Sequence, residues 1–474
     1  MTRAAALALL GVASACASPA PHAAGAGCAD APPDPSQRCV VAGAQYAAGP
    51  VHGWLLGSGY RALWTAPITV PVLDLDRTAG GLVPLEHLGH GQSATLALRG
   101  GDGRAYSFRT TDKDMRQAAG AAGSVPGVAA AYRDQTASGH PGAPLVASAL
   151  ARAAGVLEPE PRLVVLAASP RLGAFAETFA ERLGTFEEYP TPADKGRPGT
   201  FGAIEIVKTE ELLGRLQADP AERVDARAYL RARLVDLVLG DVDRHPGQWR
   251  FARLAPRGAW EPLPEDRDLA FARFDGALLR VARPWFPLLG RFDERIHVGA
   301  LAPQAVVTDT WLLAPLSRAA WREEAASVQR ALSPAAIERA VDVLPAEWRE
   351  LDGARLAERL RRRVAALPAA ADALYERLAA AVDVHGTAAA ERVRAIPRGE
   401  ATEIRVTAAG RREPTFERVL DPGETHRLRL CGFDPTDSVS LDAVRGFEVR
   451  VEPRCEVARP IVIESVKTSD SQTD

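Results

Sequence analysis

Two acidic segments stand close together in the chain: GDVDRHPGQWR (Gly240–Arg250) and WEPLPEDRDLAF (Trp260–Phe271). The first follows a helical pattern and precedes a strand-like run, Trp249 to Leu254, whose partner is Glu261 to Leu263. A hairpin therefore joins the two segments and puts their carboxylates on adjacent loops. Phosphoryl transfer asks for this arrangement, because the moving group carries dispersed negative charge and the protein mainly positions it and supplies cations. Asp243 suits the residue that orients the attacking hydroxyl and takes its proton, with His245 beside it. Gln248, five residues on, suits a metal ligand, and Asp268 with Asp266 suits the carboxylates that bridge this metal to phosphates. An all-oxygen donor set fits Mg²⁺ or Mn²⁺, so the expected cofactors are that ion and ATP or another nucleotide.

Phosphates also need donors from upstream. Gly89-His90-Gly91-Gln92-Ser93 lies in the first hairpin, where glycines let backbone N–H groups approach oxygens; a plain tight turn reads the same way. Arg109 ends the next strand, and Lys113 follows it. Of the 57 basic residues only four are lysine (113, 195, 208 and 467), so Lys113 is the one lysine before Lys195. It is the favoured phosphate contact; the bland reading is a solvated turn charge between Asp112 and Asp114. Asp134, with Gln135 second, is the candidate acidic partner for that base. Bland roles exist in the central loop as well. Asp241 suits a turn cap, Arg244 an ion-pair partner of a loop carboxylate, and His245 a residue that sets the loop.

These segments resemble a known group. Asp243-Arg244-His245 followed by a metal-ligand position is the order of atypical kinases, shared by lipid kinases, HipA-type toxin kinases and secretory-pathway kinases. Asp266-Arg267-Asp268-Leu269-Ala270-Phe271 after Trp260 looks most like spore-coat CotH kinases. A closer resemblance covers about residues 46–435. YRALWTAPITVPVLDLDRTAGGL, FRTTDKD, the Gln135 to Pro141 segment and PTFERVLDPGETHRLRLCGF are similar to an exported bacterial region that often precedes an outer-membrane surface-antigen barrel. The resemblance implies an α+β, two-lobed protein-kinase-like fold. Its N-lobe would run over 46–205 and its mainly helical C-lobe over 206–390. In 391–474 the runs Ile404–Thr407, His426–Leu430 and Phe447–Val451 alternate at period two, which reads as a small antiparallel β module ahead of a polar tail. Gln248 stands where kinases carry Asn or Glu. Its carbonyl ligates, but through one more methylene than Asn and without charge. The implied activity is metal-dependent phosphoryl transfer to an envelope protein, glycan or lipid. The alternatives are AMP transfer by a reversed nucleotide, or an inactive kinase-fold scaffold.

Composition excludes other classes. Apolar residues are 47% and charged residues 25%, as in globular proteins. The net charge of −3 gives no global basic excess for nucleic acid or an anionic membrane surface. Nine histidines without a G-N-H-[DE] segment leave a two-metal phosphoesterase short of ligands. No G-x-S-x-G elbow supports an α/β-hydrolase, and no C-x-x-C spacing supports a zinc ribbon.

The N-terminus reads as an export signal: Met1-Thr2-Arg3, then an apolar run from Ala4 to Ala13, then Ala13-Ser14-Ala15-Cys16. Residues 1–16 are expected to be a lipoprotein-like signal, with a lipid anchor at Cys16 as the membrane contact, and 17–45 a flexible tether. This places the protein in the periplasm or at the outer membrane. Ala13 replaces the usual Leu or Val of the lipid-attachment box. Cys28 with Cys39 and Cys431 with Cys455 are the disulfides that proximity favours, although four cysteines allow three pairings. Further expectations are strands over 82–98 and 104–109 around the Gly100–Gly103 turn, a helix from Pro144 to Gly155, a strand from Arg162 to Ala168 and a loop over 190–202. Two helices broken at Pro368 are expected within 357–382.

Overall fold

Alternating apolar residues build the first sheet. The computed structural model describes residues 34–88, 93–113, 126–286 and 289–453. Its seven-stranded sheet contains β1 (Gln37–Val41), β2 (Pro67–Leu73), β3 (Leu82–Leu88), β4 (Thr95–Gly100), β5 (Ala105–Thr110), β6 (Arg162–Leu166) and β7 (Arg182–Glu188). The order is β1-β2-β6-β7-β5-β4-β3, antiparallel except for the β2–β6 pair. Successive side chains face opposite ways. Leu96, Leu98, Phe108 and Phe186 therefore pack on one face against Leu172 and Phe179. Thr95, Arg109 and Thr185, which lie opposite one another across β4, β5 and β7, share the other. The Gly100–Gly103 turn joins β4 to β5, with Gly103 at φ 80°. The run over 82–98 is two strands rather than one. Residues 37–41, inside the expected tether of 17–45, form β1 instead, because they find antiparallel backbone partners on β2.

Helix α1 (Pro50–Leu56) precedes β2, and α2 (Ala143–Ala153) packs its buried Leu145, Val146 and Leu150 into the main core. The segment after β7 runs as loop and turns to β8 (Glu205–Lys208). Then come α3 (Thr209–Ala218), α4 (Ala226–Leu239), and the hairpin of β9 (Trp249–Arg253) and β10 (Trp260–Pro264), with β8 completing a small antiparallel sheet. Asp225 caps α4 by accepting from the Ala228 N–H at 2.8 Å. Gly240 ends it in the left-handed conformation, φ 68°, which costs glycine least. Helix α4 is buried on almost every side, and its core side chains join those of α6 (Arg318–Ala331) and α7 (Ala354–Ala379). Between these lies α5 (Ala277–Ala282).

Two expectations fail here for identifiable reasons. Pro368 lies inside α7, which runs unbroken across it. Proline removes the hydrogen bond to the carbonyl four residues back, and Gln329 Nε2 on α6 donates to that carbonyl, Val364 O, at 3.0 Å. Gln329→Ala is therefore expected to cost about 1–3 kcal/mol in denaturant unfolding; an unchanged midpoint would refute the rescue. The C-terminal module is the second case. It holds an antiparallel trio of β12 (Glu391–Arg398), β13 (Ala401–Ala408) and β14 (Phe416–Leu420), with β16 (Ser438–Ser440) added parallel to β12. Its other sheet, β11 (Ala381–His385), β15 (Arg427–Cys431) and β17 (Glu448–Glu452), is wholly parallel. The module thus starts at residue 381, not 391, and is only partly antiparallel; a period of two marks a strand without fixing its direction. Val393, Ile404, Val406, Leu428 and Leu430 fill the core shared by the two sheets.

Cys39 and Cys431 are each in a disulfide. Cys28 and Cys455 lie outside the described residues, as do the signal segment and Cys16. Among the described residues, no helix is long and apolar enough to cross a membrane.

Candidate functional site

Gly240 turns the chain out of α4 into the first acidic loop. Arg244 is fully buried there and donates to three carbonyls: Glu265 O at 2.7 Å, Asp266 O at 3.1 Å and Gln248 O at 3.0 Å. It lies over the Trp249 ring, 4.6 Å from the centroid. One side chain thus ties the Asp243 loop to the Asp266 loop through backbone, while the loop carboxylate expected as its partner, Asp241, lies 3.7 Å away. Asp241 caps the turn by accepting from Asp243 N–H at 3.1 Å, and burial pushes its carboxyl up to about 7 against the pull of Arg244. The Asp243 carboxylate is half-buried, with His245 Nε2 3.9 Å away. His245 Nδ1 accepts from Gly247 N–H, so the imidazole sets the loop. The Gln248 backbone is engaged at both ends, while its side-chain amide bonds to no described residue.

In the second loop the side chains sort by charge. Asp266 adopts φ 50°. It pairs with Arg109 Nη1 at 2.6 Å. Asp268 pairs with Lys113 Nζ. Burial alone would raise both carboxyls. Arg109 and Lys113 hold Asp266 well below the usual carboxylate range, and the neighbouring Asp266 charge helps push Asp268 up to about 6. Arg267 points the opposite way, into the core. It meets Glu158 at 3.1 Å and Asp236 of α4 at 2.5 Å. Asp236 also faces Arg233 at 2.9 Å and Arg244 at 3.3 Å, and Arg233 reaches Asp309 at 2.9 Å. Three arginines and their carboxylates thus neutralise one another behind the site.

A shallow cleft, open to solvent, lies in front. Ser93, Arg109, Lys113 and Asp268 line it, between apolar walls that include Trp64, Pro144 and Leu269. Four expected site residues therefore meet, and Asp266 joins them through Arg109. Asp243, His245 and Gln248 sit in the adjoining loop that Arg244 braces, outside this lining. Asp134 does not partner Lys113. Arg61 grips both of its oxygens, at 2.9 and 2.6 Å, and His52 lies at 3.1 Å. Gln135 is spent on Leu56 O and Ser138. Gly89 and Gly91 lie outside the described residues. Lys113 is no solvated turn charge: its side chain is 15% exposed, and the preceding Asp112 is held by Gln45 and Tyr46.

Sequence reasoning missed two residues. His140 lines the cleft with its ring 2% exposed. Its Nδ1 accepts from Gly142 N–H at 3.0 Å, and burial takes its pKa down to about 3, so it is neutral with the proton on Nε2. Glu187 lies opposite Ser107, two residues from the Arg109–Thr185 pair, so it shares the Arg109 face, and burial pushes it up to about 7. No local signal marks either, because both depend on strand register or tertiary burial. A separate Asp383, His385 and Cys431 group has metal-like spacing. Cys431 is in a disulfide, Asp383 pairs with Arg429 at 2.7 Å, and His385 stacks on Trp311. This donor set is occupied by the fold.

No family model matches the chain, and no curated protein matches it. Among solved structures, it is similar to CtkA, a proinflammatory kinase of Helicobacter pylori, at 11% identity and a TM-score of 0.34, covering 62% of this chain and 96% of that one. It is also similar to HipA of Shewanella oneidensis MR-1, from a toxin–antitoxin complex with HipB and operator DNA. That match has 14% identity and a TM-score of 0.31, covering 65% of this chain and 77% of that chain.

Proposed function

We propose that the chain is an exported, kinase-like phosphotransferase that moves a phosphoryl group from a nucleotide to an envelope protein, glycan or lipid. The observation that carries this reading is the pairing across the cleft. Two cations at the end of the β5 strand region, Arg109 and Lys113, each meet a carboxylate of one loop, Asp266 and Asp268. The chain order supports it as well: an N-terminal sheet, a connecting loop, buried helices, the Asp243 loop, the β9–β10 hairpin and the second acidic loop. These elements would form the two lobes expected over 46–205 and 206–390, the second giving way to the β module at β11.

The donor set fits a hard divalent cation, since Asp266 and Asp268 offer carboxylate oxygens and Asp266 is held ionised. Asp266 and Asp268 would hold Mg²⁺ or Mn²⁺, with the Gln248 carbonyl the further candidate in the neighbouring loop; the ion would offset charge on the phosphates. Arg109 and Lys113 would then exchange their carboxylates for phosphate oxygens, near the hydroxyl of Ser93. Asp243 would orient the acceptor hydroxyl and receive its proton, and His245 would keep the loop in shape. Export and a lipid anchor at Cys16 are part of the proposal and rest on the N-terminal sequence.

Asp243→Ala is expected to lower turnover by about 10²–10⁴-fold, the range of a positioned general base, while nucleotide affinity stays the same. Radiolabelled transfer to envelope extracts and calorimetric nucleotide titration read the two quantities separately. Lost affinity would reassign Asp243 as a ligand. Unchanged transfer would remove it from the reaction.

A further inference from the structure

Away from the cleft, large apolar side chains gather at one place. On α1, Val51 is 72% and Trp54 63% exposed; on and just after α5, Val281 is 68%, Trp285 61% and Phe286 48% exposed. The two helices belong to one ridge. Gly276, which caps α5, lies so close to the end of α1 that a Cβ there would meet Leu55 O at 2.6 Å. Gln135 and Asp275 tie the ridge to the body through Leu56 O and Gly59 N. Solvent-facing tryptophans on adjoining short helices are not needed to close the core, since Trp64, Trp249, Trp260, Trp321 and Trp348 already do so.

One stretch of chain beside the ridge is purely basic, with Asp275 and Asp293 flanking it. Between Gly276 and Phe292 the sequence holds Arg280, Arg283 and Arg291 and no acid. Arg280 is exposed, next to Val281, and makes no ion pair among the described residues. Arg283 is directed at Leu289 O and Phe274 O, and Arg291 at Asp293. Aromatic side chains that stand out of the surface next to unpaired arginine match a lipid interface, where indole rings sit at headgroup depth and guanidinium groups meet phosphates. We propose that this ridge docks on an anionic lipid surface, with Trp54, Trp285 and Phe286 entering the headgroup layer and Arg280 facing lipid phosphate. The inference is independent of nucleotide chemistry in the cleft.

The test uses the full chain with Cys16→Ala, so that no acyl group contributes at that position. It is sedimented with vesicles of phosphatidylcholine alone or mixed equally with phosphatidylglycerol. Anionic vesicles are expected to bind it at least about tenfold better at low salt, with the preference fading as salt screens it. Trp54→Ala with Trp285→Ala is expected to abolish binding, and Arg280→Glu to remove the lipid preference. Brominated lipids in the bilayer are expected to quench part of the parent chain's tryptophan emission, a readout that needs no change to the ridge. Absence of vesicle binding, or binding and quenching that ignore these changes, would overturn the proposal. So would a stable dimer that the double substitution dissolves, because the ridge would then belong to a second copy.

Discussion

Replacing Asp268 with alanine is expected to abolish the stabilisation that ATP with Mg²⁺ gives the parent chain. Ligand at 100 times its dissociation constant adds about 2.7 kcal/mol to a folded state that alone binds it. Asp268 sits in the cleft against Lys113, and its side chain is 20% exposed. Without it Asp266 would be the one carboxylate of this loop left to hold a divalent ion, and Lys113 would lose its partner. The unliganded variant should also melt lower, so the quantity to compare is the ligand-induced shift in a thermal titration. Chelation of the divalent ion should erase the same shift in the parent chain. A full shift in Asp268→Ala would remove this residue from the metal site. A missing shift in the parent chain, with every nucleotide and ion, would favour the inactive scaffold.

The second large effect concerns stability alone. Asp236→Ala is expected to destabilise the fold by about 3–5 kcal/mol, as breaking a buried ion network does. Asp236 is fully buried between Arg233, Arg244 and Arg267. Burial works against its charge, yet the three guanidinium groups hold its carboxyl below the usual range. Alanine would leave three crowded cations with fewer anions and no water. The exposed pair Arg227–Glu323 is the contrast: its removal should cost about 0–1 kcal/mol. Urea unfolding of both variants measures the difference, and similar small losses would show that Asp236 is not the hub.

The segments that carry the candidate site residues were largely legible in the sequence, because the pattern within each is local. The β9–β10 hairpin, the two acidic loops, Arg109 and Lys113 all lie where pattern and turn signals place them. What failed depended on partners far away in the chain. Asp134 has the right type and place for the base's partner, but Arg61, 73 residues earlier, takes both its oxygens. Pro368 reads as a break until Gln329 of another helix supplies the missing donor. The His426–Leu430 run reads as a strand whose direction depends on β11 and β17, neither of them adjacent in sequence. Arg267 sits between two site aspartates, yet serves the core through Glu158 and Asp236.

Arg244 meets the Asp236 carboxylate behind the site, but it holds the two loops through backbone. Its three carbonyl acceptors, on Gln248, Glu265 and Asp266, exist whatever side chains those positions carry. The loop's shape is thereby separated from its chemical identity. The side chains at 243 and 248 make no hydrogen bond among the described residues, so substitutions there should leave the scaffold folded. A frame held this way accepts different side chains at both positions, and the glutamine at 248 is one that it accommodates.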